Sequence, residues 1–167
     1  MITPMPTNRT LDSIDRRIID VLQVDGRISV NDLAERIGLS ASPTLRRLRR
    51  LEQTKVILGY RADIDPHAVG RGLTVWVTLR LALMDPDRLA TFEQALVGLD
   101  SVTSVHHVTG DVDYLVRVDI ADLDAYDEVI RKQIPSLPGE AHVTSYVVTS
   151  TIADHHGLVG NDPTAAP

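Results

Sequence analysis

Four arginines crowd one short stretch of this chain. Arg46, Arg47, Arg49 and Arg50 lie between Pro43 and Glu52, interleaved with Leu45, Leu48 and Leu51. Arginine offers a permanent charge for phosphate and a planar fork that fits the O6 and N7 edge of guanine, so the composition suits nucleic acid. The leucines recur every three residues and give a helix one apolar stripe. At ~100° per residue, Arg46 and Arg50 fall roughly opposite that stripe and are the base-reading candidates, with Arg47 and Arg49 on its flanks. Ser42 and Arg47 suit phosphate, beside a helix start or on a flank; Arg49 suits either role, or a pairing with an acidic neighbour. Pro43 fits the first helical position, where its missing N–H costs nothing. Ser42 is then the expected N-cap, with Ser40 as the second candidate. Arginines on an amphipathic helix are also a common form of solvated face, so the flanking sequence has to decide.

A second group is Gly110-Asp111-Val112-Asp113. A glycine turn can present backbone amides to a carboxylate, and Asp111 or Asp113 can accept from an ammonium, the two ends of a free amino acid. The same four residues also make an ordinary hairpin turn. Six histidines include the adjacent pairs His106-His107 and His155-His156. Neighbours on a strand point to opposite faces, and the second pair sits in the tail, so no metal site is expected. No nucleophile–base pattern or phosphate-binding loop is present, and no catalytic residue is expected.

The elements around the arginines raise the nucleic-acid reading. Leu11, Ile14, Ile18, Val21 and Leu22 mark one helix, stopped by Asp25-Gly26. Ser29-Val30-Asn31-Asp32 opens a second in a capping-box pattern, with Val30, Leu33, Ala34 and Ile37 on its inner face, and Gly38 closes it. Two helices, a short turn containing glycine and a basic helix make a helix-turn-helix with the basic helix in the recognition position. Val56 to Ile64 reads as two extended runs about Gly59, a candidate wing.

Beyond Asp65-Pro66 and Gly70-Arg71-Gly72 the period changes. Strands are expected at Leu73–Leu83, Val102–Thr109, Tyr114–Ile120 and Val143–Ile152. One helix starts at Asp85-Pro86, with Leu89, Phe92, Ala95 and Leu96 inward. Asp122 caps another, with Leu123, Tyr126, Val129 and Ile130 on one face. The order βαββαβ is the ferredoxin-like split βαβ, an antiparallel sheet with both helices on one side. The fold class is therefore α+β: a winged helix-turn-helix domain followed by a ferredoxin-like domain. The expected division is a flexible N-terminus (1–9), the helix-turn-helix (10–62), a linker (63–72), the ferredoxin-like domain (73–152) and a flexible tail (153–167). The free sheet face is expected to be partly apolar, since Trp76 alternates there with Thr74, Thr78 and Arg80; such a face calls for a second copy and hence a two-fold dimer, which also suits a helix-turn-helix reading two half-sites.

Charge supports two different halves. The 167-residue chain has a net charge of −6, but residues 1–61 carry 11 Lys+Arg against 7 Asp+Glu while residues 62–167 carry 6 against 16. A basic half that meets phosphate and an acidic half with another task follow. There is no cysteine, so no disulfide framework. No apolar run approaches the ~18 residues of a membrane helix and no signal-peptide pattern opens the chain, so a cytoplasmic protein is expected. A metabolite-sensing module whose basic half only mediates assembly is disfavoured by the four-arginine helix. A metal-responsive protein is disfavoured by the missing thiolates and the histidine spacing.

Particular runs carry a family resemblance. In the first half they are Asp15-Arg16-Arg17-Ile18-Ile19, Leu22-Gln23-Val24-Asp25-Gly26-Arg27-Ile28-Ser29, Leu33-Ala34-Glu35-Arg36-Ile37-Gly38-Leu39-Ser40, Ser42-Pro43, Arg46 to Glu52, Val56-Ile57, Gly59-Tyr60 and Asp65-Pro66. In the second they are Thr109 to Leu115, Ala121 to Tyr126, Leu137-Pro138-Gly139 and Ser145 to Val148. Over roughly residues 10–152 the chain resembles the leucine-responsive/asparagine-responsive (Lrp/AsnC, feast/famine) transcriptional regulators. The resemblance implies a sequence-specific regulator of double-stranded DNA that responds to a small effector, usually an amino acid. It also implies homodimers that combine into octamers or similar rings. The effector pocket it implies lies between dimers, near Gly110 to Asp113, with Leu123, Tyr146, Val147 and Val148 as its other walls. Thr44 stands where the family often has cysteine and, by its helical angle, is a boundary core residue. Glu140 to Thr144 is less typical of the family.

Overall fold

In the computed structural model, residues 11–82 and 85–152 are described. The chain divides into two compact units, one ending at Ala62 and one spanning Asp63–Ile152. Both expected flexible ends, His155-His156 and Leu83 lie outside the described residues.

The first unit holds α1 (Ser13–Val24), α2 (Val30–Ile37) and α3 (Ala41–Gln53). Asp12 and Asp15 build a reciprocal cap on α1: the Asp15 N–H donates to Asp12 at 2.8 Å and the Asp12 N–H donates to Asp15 at 3.2 Å. Ser29 caps α2, its hydroxyl accepting from the Asp32 N–H and donating to the Asp32 carboxylate. Gly38 closes α2 at φ 73°, a left-handed turn that glycine adopts without a Cβ penalty. Ile18, Leu33, Ile37 and Leu51 form the core.

Two local expectations need correction here. The N-cap of α3 is Ser40, not Ser42, so Pro43 stands at the third helical position. Its missing N–H is still harmless, because the first four helical N–H groups have no partner within the helix. The wing is absent: no strand lies among residues 54–72. Instead the Val56 and Ile57 N–H groups both donate to the Leu51 carbonyl, at 2.9 and 3.1 Å, and their side chains pack on the three-helix core. Apolar side chains that read as a strand are taken up as core, and Leu58 beyond them is 82% exposed.

The second unit holds β1 (Leu73–Leu81), α4 (Pro86–Val97), β2 (Val102–His107), β3 (Tyr114–Ile120), α5 (Leu123–Glu128) and β4 (Ala141–Val147). The sheet order is β2-β3-β1-β4 with every pair antiparallel, the ferredoxin-like arrangement. Asp85 caps α4 and Pro86 follows at its first position; Asp122 caps α5. After Glu128 the chain runs on as a π turn (Val129–Gln133) and a 3₁₀ turn (Ile134–Ser136) instead of a longer α-helix. This slippage lets Val129, Ile134 and Leu137 all reach the core. Leu123, expected on the inner face, is 60% exposed. β4 starts two residues earlier than expected and ends at Val147, and β2 ends at His107.

Val75, Val77 and Leu79 of β1 and Val116 and Val118 of β3 point to the helix side, against Phe92 and Leu96 of α4. Phe92 and Tyr114 meet with ring centroids 5.9 Å apart. The other face is mixed, as the alternation of Trp76 with Thr74, Thr78 and Arg80 implied, because the valines and leucines of β1 and β3 are used on the helix side. Trp76 lies there between Arg117 and Tyr146, flanked by Thr74, Thr78 and Arg80. Asp119 is 6% exposed on this face. Burial raises its pKa, but hydrogen bonds from Thr103 and Thr74, with the Arg117 guanidinium, outweigh that and hold the carboxyl below its ordinary value.

Candidate nucleic-acid interface and ligand site

Helix α3 sorts its arginines into two pairs. Arg46, Arg49 and Arg50 are exposed, as is Ser42, but of these only Arg50 is paired: the side chains of Ser42, Arg46 and Arg49 make no hydrogen bond or ion pair among the described residues. Arg47 and Arg50 are held back against α1. Arg47 Nη1 donates to Asp12 at 2.6 Å and to Asp15 at 2.9 Å, and Arg50 Nη2 donates to the other oxygen of Asp15. Asp15 is 1% exposed. The Asp15 N–H, working against a small cost of burial, and then the Arg47 guanidinium hold the Asp12 carboxyl below its ordinary value; Asp12 and Asp15 in turn raise Arg47.

This corrects the orientation expected for Arg50. The buried stripe runs through Thr44 (0% exposed) and Leu51, and the Thr44 hydroxyl donates to the Ser40 carbonyl at 2.9 Å. Counting ~100° per residue from Thr44, Arg49, Ser42 and Arg46 fall at ~140° to ~200°, opposite the core, while Arg50 at ~240° and Arg47 at ~300° turn toward α1. Burial of a threonine in place of full burial of Leu45 rotates the outward face by part of a turn. Asp15 was missed as a functional candidate, although Asp12-x-x-Asp15 before an apolar helix is itself a legible capping signal.

The ligand candidates fall into two groups. Gly110 sits at φ 126° in the loop between β2 and β3, where a Cβ would meet nothing within 4 Å. Asp111 beside it is exposed. Asp113 serves the fold: its carboxylate accepts from the Leu81 N–H at 2.7 Å, its own N–H donates to the Leu79 carbonyl, and its carbonyl accepts from Val108. Leu123, Val147 and Val148 lie at the other end of β1, where Val147 pairs with Val75 and the Val148 N–H donates to the Thr74 carbonyl. Tyr146 is 57% exposed on the open face, opposite Trp76. From Val75 to Leu81 a strand advances ~20 Å, so one copy of the chain does not bring both groups around one small molecule. A depression of about 480 Å³ is lined by Gly72, Leu73, Ala121, Asp122, Leu123 and Asp124, and another of about 580 Å³ by Arg80 to Ala82 and Glu140 to His142. His107 stacks on Tyr114 on the helix side while His106 pairs with Leu115, so the two rings diverge.

Residues 11–52 match the AsnC-type helix-turn-helix domain, and residues 74–158 match the Lrp/AsnC ligand binding domain. The chain belongs to the Lrp/AsnC family. It is a helix-turn-helix DNA-binding regulator with a ligand-binding domain, and its relatives are regulators rather than enzymes. This Lrp/AsnC regulator is 38% identical to the leucine-responsive regulatory protein of Escherichia coli (strain K12) over 151 residues, 90% of this chain and 92% of that protein. It is similar to a transcriptional regulator of Neisseria meningitidis solved as a complex with L-Met, with a TM-score of 0.85 and 31% identity over 89% of this chain and 96% of that one. It is also similar to an AsnC family transcriptional regulator of Agrobacterium tumefaciens, with a TM-score of 0.84 and 34% identity over 89% and 96%. No helix among the described residues is long and apolar enough to cross a membrane.

Proposed function

We propose that this regulator reads its operator with Ser42, Arg46 and Arg49, and that an amino acid controls it through the second unit. The free guanidiniums of Arg46 and Arg49 on the outward face of α3 carry the DNA reading. Arg46 and Arg49 are the base-reading pair and Ser42 meets phosphate at the helix start; Arg47 and Arg50 are a reserve at the edge of the interface. A cytoplasmic location is part of this reading and is supported by the DNA-binding role.

The effector reading is supported by the ligand-binding family and by the meningococcal regulator seen with L-Met. Gly110, Asp111 and Asp113 form one wall, and Leu123, Tyr146, Val147 and Val148 of a neighbouring copy supply the other. The separation of these groups along β1 supports a pocket completed between copies. A homodimer through the open sheet face, with dimers joining into an octamer, provides such neighbours; Trp76 and the exposed Tyr146 are the apolar anchors on that face.

Asp113 is already bonded to Leu81, so Asp111 is the carboxylate free to accept from a ligand ammonium. Isothermal titration with L-leucine and L-methionine checks this. Asp111→Ala is expected to weaken whichever of the two binds by about 1–3 kcal/mol while the melting temperature of the free protein stays put. Unchanged affinity in Asp111→Ala removes the ammonium contact; binding of neither amino acid by the wild type removes both as effectors.

A further inference from the structure

The two carboxylates that hold Arg47 and Arg50 occupy the place that phosphate oxygens take on an arginine. Each guanidinium donates to a carboxylate oxygen, Arg47 at 2.6 and 2.9 Å to two of them. Two negative charges face two positive ones, so half of the arginine charge of α3 is neutralised within the unit. The arrangement resists exchange because Asp15 is buried. A guanidinium that left it for a passing phosphate would strand a desolvated carboxylate, which is costly. Asp12, at 49% side-chain exposure, is the solvated half of the clamp.

Binding to arbitrary DNA rests on phosphate neutralisation, and each arginine withheld from it lowers that affinity without touching base readout. We propose that Asp15, with Asp12, is a specificity-determining residue: it withholds Arg47 and Arg50 from the backbone of non-operator DNA and leaves recognition to Ser42, Arg46 and Arg49. The proposal rests on the DNA-binding reading of α3. Asp15 acts through the arginines and is a positioning residue, so its signature is the salt dependence of binding.

The test is a fluorescence-anisotropy titration of the full chain on a duplex of arbitrary sequence, from about 50 to 200 mM NaCl, for wild type, Asp15→Asn and Asp12→Asn. Each released arginine that meets a phosphate steepens the plot of log affinity against log salt by about 0.9. Asp15→Asn is expected to steepen it by about 1–2 per protomer and to raise low-salt affinity several-fold. Asp12→Asn, which keeps an equally good N-cap, is expected to steepen it measurably but less, by about 0.5. Structural damage to α3 would make the slope shallower, so a steeper slope is not a by-product of damage. A slope equal to or shallower than wild type, in a variant whose far-UV circular dichroism matches wild type, overturns the proposal. Where Asp15→Asn fails to fold, Asp12→Asn decides by the same criterion. A wild type that binds neither this duplex nor the duplex from upstream of its gene at any of these salt concentrations overturns the DNA reading and the proposal with it; a wild type that binds, with unchanged slopes in the variants, overturns the proposal alone.

Discussion

Arg46→Ala/Arg49→Ala is expected to lose operator affinity by about 2–6 kcal/mol, the sum of two base-reading contacts of about 1–3 kcal/mol each. Both side chains point away from the core and have no partner among the described residues to release or strand. Their removal therefore leaves the fold intact, and melting of the first unit should not move. Arg47→Ala behaves differently: it leaves Asp15 short of a partner, so its cost appears in stability as well as in binding. A gel shift on the duplex upstream of its own gene, alongside a thermal melt, separates the two. Operator affinity within about twofold of wild type in the double alanine variant would remove this pair from the interface.

The second large effect lies in the ligand-binding unit. Phe92 of α4 is fully buried against the sheet and packs against Tyr114, whose hydroxyl donates to Glu93 at 2.6 Å. Burial, then that bond to Glu93, pushes the Tyr114 phenol well up and keeps it neutral. Phe92→Ala removes the ring and leaves a cavity that a sheet pinned on both sides of β1 cannot close. A loss of about 3–5 kcal/mol is expected. For a unit of this size the melting temperature should fall by at least about 12 °C. Leu123→Ala is the control, since that side chain is largely exposed and its change should stay within about 0.5 kcal/mol. A scanning-calorimetry shift of less than about 3 °C for Phe92→Ala would mean that this helix–sheet packing does not hold the unit together.

Capping and periodicity made most of the fold legible. Ser29, Gly38, Asp85-Pro86 and Asp122 start or stop helices where their local chemistry says they should, and strict alternation located β1 and β3. The misreadings share a cause: tertiary contacts that local patterns do not encode. Val56 and Ile57 read as a strand because β-branched residues favour one, but no partner strand is available and the three-helix core takes them. The run from Val129 to Ser136 has the composition of a continued α-helix; Pro135 and the need to bury Ile134 and Leu137 convert it to π and 3₁₀ turns.

The candidate site was legible in kind and less so in detail. The arginine stripe announced a nucleic-acid helix. Which arginines face outward depended on Thr44, a small polar residue buried because its hydroxyl bonds back to Ser40. It depended too on Asp15, which sits 31 positions before Arg46 and has no local signal linking it to α3. Asp113 illustrates the reverse. Its position in a Gly-Asp-Val-Asp loop suggested a ligand contact, and nothing local signalled that one oxygen of its carboxylate is taken by the Leu81 N–H.

Sequence-specific recognition of DNA by the outward face of α3 is tested most directly by one comparison. Wild-type protein is titrated by fluorescence anisotropy against the duplex from upstream of its gene and against a shuffled duplex of the same length and composition, at one physiological salt concentration. A preference for the upstream duplex of at least about a thousandfold is expected, the lower end of the range for specific regulators. Equal affinity for the two duplexes would contradict it.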